Sequence, residues 1–183
     1  MAALRRRQID PPSLLIGVEL DEKAADEASK HFHNVIVGPV EKAAFETFIP
    51  KGSLDLVLCL DVLEHLVDPW TVVKRVTPLI SPSGRLIISV PNIRNWKFIT
   101  RLALKGDFRY TDAGLLDRAH LRFFVRDTAV KLATCGGLKL EGCWDARDYT
   151  RFEFRNILNR ITLGATKELL AKQWIVVASQ GPA

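Results

Sequence analysis

The chain is predicted to fold as an α/β domain built on a doubly wound sheet. Short apolar runs alternate almost throughout with segments of helical character rich in Ala, Glu and Lys. Most of those runs are continuously apolar rather than alternating, the pattern of strands in a parallel sheet covered on both faces. The clearest of them, Leu54 to Leu60, ends in Asp61 and so would deliver an acid to the crevice at the carboxyl ends of the strands.

Taken in order, Leu14 to Leu20 reads as the first strand, and Asp21 can cap a helix over Glu22 to Phe32. Val35 to Val37 is a brief strand closed by Gly38-Pro39. A short helix is expected over Glu41 to Phe48, then a turn at Pro50 to Ser53 and the strand Leu54 to Leu60, followed by a helix-like continuation carrying Glu64 and His65. Asp68-Pro69 opens a helix to about Leu79, because proline is tolerated in the first turn. Ser81 to Gly84 is a predicted tight turn into the strand Arg85 to Val90. From Pro91 to Phe124 the rhythm breaks. Ile93, Trp96, Ile99 and Ala103 recur at helical spacing up to Gly106, and a polar loop runs on to about Leu116. A helix over Arg126 to Cys135 stops at Gly136-Gly137. Leu138 to Trp144 is a strand, Phe152 to Leu163 a helix and Gln173 to Ser179 the last strand. One domain over 1–183 is expected, with 92–124 as an inserted cap and 138–183 as a C-terminal strand-helix-strand unit.

At 183 residues, 48% hydrophobic and 26% charged, the chain has the make-up of an ordinary globular protein with a real core. No apolar stretch approaches the roughly 20 residues that cross a bilayer, and the basic start lacks the apolar core of a secretory signal. Cys59, Cys135 and Cys143 suit neither a disulfide framework nor a zinc site, so a reducing cytoplasm is expected. The span Arg94 to Arg126 holds eight basic and three acidic residues, and that difference equals the net charge of the whole chain, +5. An anionic partner is therefore expected there.

Four segments together resemble the class I S-adenosylmethionine-dependent methyltransferases: Gly17-Val18-Glu19-Leu20-Asp21, Leu54 to Trp70, Leu79 to Leu86, and the pair Ser89-Val90-Pro91-Asn92 and Gly114 to Phe124. The last pair is similar to a branch that often accompanies glycosyltransferases and surface-glycan genes, with Ala119 where that branch usually has Thr. The resemblance, spanning roughly residues 14 to 179, implies a Rossmann-like sheet of order 3-2-1-4-5-7-6 and S-adenosylmethionine as cofactor. It places Glu19 at the ribose hydroxyls, with Leu20 beside it, since two carboxylate oxygens can accept from two vicinal donors. It also makes Asp61 a catalytic candidate that lines the methyl-donor pocket or positions the acceptor, against the plainer role of an N-cap.

Two departures stand out. Pro39 follows Gly38 where the family often has an adenine-binding Asp, and proline can offer only its carbonyl. No residue before Leu14 supplies the glycine-rich loop and first strand. Met1 to Gln8 reads as the tail of the helix after that loop. The chain is therefore expected to be N-terminally truncated, with the central strand missing and two apolar strand edges exposed.

For the reaction, His120 is a candidate base and acceptor ligand, against the alternative of a histidine tying the cap to the sheet. Asn92, Arg118 and Arg122 are further candidate acceptor ligands. Asp61, Glu64 and His65 share one helical face, a spacing that ubiquinone-type and small-RNA methyltransferases use for a metal. Glu-His also follows this strand in members without one, and no metal is expected here. The function expected is methyl transfer to a small polar acceptor, anionic or sugar-linked. The competing expectation is a fragment or pseudoenzyme that does not bind the cofactor. Nucleic acid is not expected, and the Trp96 to Leu104 helix could touch a membrane surface.

Overall fold

A computed structural model describes residues 14–146 and 167–181. Its elements in chain order are β1 (Ile16–Glu19), α1 (Glu22–Ala28), β2 (Asn34–Val37), β3 (Leu54–Leu60), α2 (Pro69–Val76), β4 (Ile80–Pro91), α3 (Trp96–Lys105), α4 (Arg126–Thr134), β5 (Lys139–Asp145), α5 (Lys167–Leu170) and β6 (Gln173–Ser179). They fall into two compact units, one ending at Ala44 and one beginning at Phe45. The helix expected over Phe152 to Leu163 and the segment Met1 to Gln8 lie outside the described residues.

In the first unit β1 and β2 pair in parallel, from Ile16 opposite Asn34 to Glu19 opposite Val37. The crossover is α1, whose first turn is capped by Asp21 accepting from the Ala24 amide at 2.8 Å. α1 is shorter than the sequence predicts. Residues 29–33 turn back instead, and the Leu15 amide donates to His33 Nδ1 at 2.9 Å, which sets the register of the pair.

The second unit is a four-stranded sheet of order β3-β4-β6-β5. β3 and β4 are parallel, whereas β6 runs antiparallel to both β4 and β5. The sheet is thus mixed, parallel as expected between β3 and β4 and antiparallel at β6. A strand covered on both faces has the same apolar pattern whichever way its neighbour runs, so periodicity could not report the direction. The strand orders agree with those expected: β1-β2 matches strands two and three of the family, and β3-β4-β6-β5 matches four, five, seven and six.

The core lies over β4 and β6. Leu86, Ile88, Val90, Trp174 and Val176 are buried there, with Val72 and Val73 of α2 and Leu132 of α4. Asp68 caps α2 through the Thr71 amide at 3.1 Å, with Pro69 in its first turn. The short helix expected over Glu41 to Phe48 shrinks to one 3-10 turn, Phe45–Thr47. The tight turn expected at Ser81 to Gly84 is instead a bulge within β4. Its register jumps from Leu54 opposite Ile80 to Leu56 opposite Arg85. Gly84 is required there, because a Cβ would sit 2.5 Å from the Leu54 carbonyl oxygen.

One expectation fails in an informative way. β3 forms with the predicted bounds, yet it is not buried: Leu56, Leu58 and Leu60 are 50%, 54% and 50% exposed. β4 is its one paired neighbour among the described residues.

Candidate active site

In the second unit a cavity of about 660 Å³ opens at the carboxyl ends of β3 and β4 and the start of β6. Asp61, Glu64 and His65 form its sheet side, while Phe98, Arg101 and His120 come from the cap. This is where an open α/β sheet presents ligand-binding groups, because strand ends and the loops after them converge there.

The cap is stitched to the end of β3 by backbone. The Glu64 carbonyl accepts from the amides of Leu121 (2.8 Å) and Arg122 (2.9 Å), and Ile93 N–H donates to Phe124 O at 2.9 Å. These bonds bring His120 against His65, with ring centroids 4.7 Å apart and edge to face. Each imidazole has Nδ1 beside a carbonyl: His65 to Ala119 O at 3.1 Å and His120 to Leu115 O at 3.2 Å. A carbonyl can only accept, so Nδ1 carries the proton in both rings. In that tautomer the lone pair is on Nε2.

Glu64 completes the cluster. It is 1% exposed, and neither carboxylate oxygen has a hydrogen-bond partner among the described residues. Burial pushes its pKa up to about 7, and the charge of Asp61 acts in the same direction. One ligand atom each from Glu64, His65 and His120 lies within 4.8 Å of the others. A carboxylate and two imidazoles suit a divalent transition cation, and the unpartnered buried carboxylate fits that role. The structure thus groups His120, not Asp61, with Glu64 and His65, and gives a donor set where no metal was expected.

Asp61 is held otherwise. Its φ is +54°, a left-handed conformation that Asp tolerates better than most residues. Its amide meets Ser89 Oγ at 3.0 Å, and its carboxylate accepts from Ser89 Oγ and Gln173 Nε2. It caps no helix; the 3-10 turn after it has no side-chain cap. Ser89 and Gln173 are site residues that sequence reasoning missed, since only the pairing of β4 with β3 and β6 makes them neighbours.

The other predicted acceptor ligands lie elsewhere. Asn92 is fully buried. Its amide nitrogen donates to Glu168 O and Ala171 O at 2.8 and 3.0 Å, and its oxygen accepts from Arg94 N. That side chain is engaged in tying β4 to α5 and is not among the residues that line the cavity. Arg122 clasps the Val67 carbonyl and lies 6.0 Å from the Trp70 ring, which likewise anchors the cap. Arg118 is exposed beside Asp112 at 3.3 Å. The cations that do line the cavity are Lys97, Arg101 and Lys172. Lys97 and Arg101 are four apart on α3, a spacing that the sequence showed but did not single out.

In the first unit Glu19 ends β1, half-buried, and one of its oxygens accepts from the Asp21 amide at 3.0 Å. That bond fixes the carboxylate at the strand end, the position expected of a ribose ligand, with Leu20 exposed beside it. The Pro39 carbonyl already accepts from Lys42 and Ala43.

Residues 2–88, just under half the chain, match the family model described as a methyltransferase domain. Among solved structures, S-adenosylmethionine-dependent methyltransferases of Thermotoga maritima (TM-score 0.60, 15% identity, 91% of this chain and 73% of that one) and Archaeoglobus fulgidus (0.58, 17%, 89% and 74%) are similar. By fold the chain is therefore of the class I methyltransferase type. Among curated proteins, the ubiquinone biosynthesis O-methyltransferases of Xanthomonas euvesicatoria and Xanthomonas oryzae are 29% and 28% identical over 99 residues. The match takes in 49% of this chain, which spans only 41% of those relatives' length.

Proposed function

We propose that the protein transfers a methyl group from S-adenosylmethionine to an oxygen of a small acceptor bound in the cavity of the second unit. The observation that carries this reading is the cluster of Glu64, His65 and His120 at the carboxyl end of β3. S-adenosylmethionine supplies a methyl group on a sulfonium, which an in-line nucleophile displaces. A hydroxyl becomes a good nucleophile only as its proton leaves, and His120 Nε2 offers the lone pair to take it. Oxygen as the accepting atom also agrees with the names of the ubiquinone biosynthesis relatives. Glu19 is assigned to the ribose hydroxyls and Asp61 to the methyl-donor side of the cavity.

A second role for the cluster is favoured by the unpartnered Glu64 carboxylate. A divalent cation held by Glu64, His65 and His120 would polarise an acceptor oxygen as a Lewis acid. Lys97, Arg101 and Lys172 support an acceptor with an anionic substituent, and Phe98 and Leu116 offer apolar walls to its body. A sugar- or glycan-linked hydroxyl fits this description and remains the first acceptor to assay. The reading as a non-catalytic chain is less well supported, because the acids at the ends of β1 and β3 and the cavity between sheet and cap are all in place.

The test is calorimetric titration of S-adenosylmethionine into the folded chain and into Glu19→Ala. Binding lost in the variant supports the reading, and no binding to the folded wild-type chain overturns it. Repeating the titration with manganese and with a chelator then separates the two roles of the cluster.

A further inference from the structure

The hydrogen bonds at the end of β3 close on themselves and leave one atom over. Ser89 Oγ accepts from the Asp61 amide at 3.0 Å and from Gln173 Nε2 at 3.2 Å. Both of its lone pairs are then used, and its single hydrogen goes to Asp61 Oδ1, 3.2 Å away. The other hydrogen of the Gln173 amide goes to the same Oδ1. Oδ2 of that carboxylate has no hydrogen bond and no ion pair among the described residues.

That oxygen is accessible. Asp61 is exposed, while Ser89 behind it is only 4% exposed. Asp61 and Gln173 both line the cavity. A surface aspartate ordinarily turns among several rotamers. Here two donors pin one oxygen, and the left-handed backbone at Asp61 (φ +54°) sets the direction in which its side chain leaves. Asp61 follows β3, Ser89 lies in β4 and Gln173 opens β6, three neighbouring strands, so the sheet itself holds their spacing.

Resting on the methyl transfer proposed above, we infer that Asp61 Oδ2 recognises the sulfonium charge of S-adenosylmethionine, with Gln173 and Ser89 as the positioning residues that aim it. S-adenosylmethionine and the S-adenosylhomocysteine it becomes differ by one methyl group and one positive charge, and both keep the amino-acid ammonium and carboxylate. A carboxylate oxygen that no protein cation neutralises therefore favours the reactant and releases the product. The benefit lies in binding and release. Attraction that fades as the sulfonium charge is lost does not lower the barrier.

The experiment is calorimetric titration of the full chain with S-adenosylmethionine and, separately, with S-adenosylhomocysteine. It compares the wild type, Asp61→Asn, Gln173→Met and the double variant, each checked for folding by circular dichroism. In Asp61→Asn the amide oxygen must stay with the two donors, which puts the amide nitrogen where Oδ2 stood. Expected is a loss of about threefold to tenfold for S-adenosylmethionine, with S-adenosylhomocysteine changed by less than about twofold. Gln173→Met keeps the length of the side chain and donates nothing. It should move the ratio of the two affinities the same way by a smaller factor, and leave that ratio unchanged when added to Asp61→Asn. A merely structural role would weaken both ligands alike. Equal weakening in Asp61→Asn overturns the inference and assigns Asp61 to the ammonium instead. A ratio that Gln173→Met leaves as in the wild type overturns the positioning role. If the folded wild type binds neither compound, the methyl-transfer reading itself falls, and this inference with it.

Discussion

β3 and β4 are neighbours in one sheet, and both have strongly apolar sequences, yet their surroundings are opposite. Leu86, Ile88 and Val90 of β4 are completely buried, between β3 and β6 and under the helices. Leu56, Leu58 and Leu60 of β3 are each about half exposed, while Val57 and Cys59 on its other face are better covered. The lesson is that an apolar run declares that a strand needs cover; whether cover is present depends on elements far away in sequence.

The comparison can be broken at its strongest point first. Ile88→Ala should destabilise the protein by about 2–5 kcal/mol in denaturant titrations, because the cavity it leaves cannot fill with water or collapse. Leu58→Ala, the matched change in β3, should cost less than about 1 kcal/mol, since little apolar surface is lost from the interior. Equal effects would show that β3 is covered in solution.

The second prediction concerns the turn after β3. Glu64 has a folded-state pKa of about 7 against an ordinary 4.5, so the folded protein holds a proton that the unfolded chain releases. Its penalty is absent below about pH 4.5 and grows as pH rises toward 7, reaching about 3 kcal/mol in the absence of metal. Stability measured in chelator should thus fall across that window. Glu64→Gln should flatten the fall, and a bound divalent cation should reverse it.

A smaller effect is expected where β3 hands over to that turn. Asp61→Ala removes the carboxylate that Ser89 and Gln173 hold and puts alanine at a positive φ, a loss of about 1–2 kcal/mol. Asp61→Asn should recover most of it, since asparagine tolerates that backbone and keeps an acceptor oxygen. The smallest readout tests the covered face of β3. Burial raises the Cys59 thiol to about 11, so iodoacetamide at pH 8 should leave it unmodified in the folded chain and alkylate it after unfolding.

Local chemistry made much of this fold legible. The bounds of β3 and β6, the caps at Asp21 and Asp68, and the end of α3 at Gly106, whose φ is +60°, all follow from short-range patterns. The acids at the ends of β1 and β3 were legible for the same reason, because strand ends present their last residue to the crevice. Long-range pairing decided the rest. It set the antiparallel direction of β6, turned Ser81 to Gly84 into a bulge, and engaged Asn92 in tying β4 to α5 and Arg122 in anchoring the cap. It also brought His120 from fifty-five residues away to stand against His65. The sequence by itself determined which elements form and which acid each strand end carries, since hydrogen-bonding periodicity and capping act over a few residues. Only the tertiary structure decided which donors meet and which strand stays open, because those depend on packing between segments that share no local pattern.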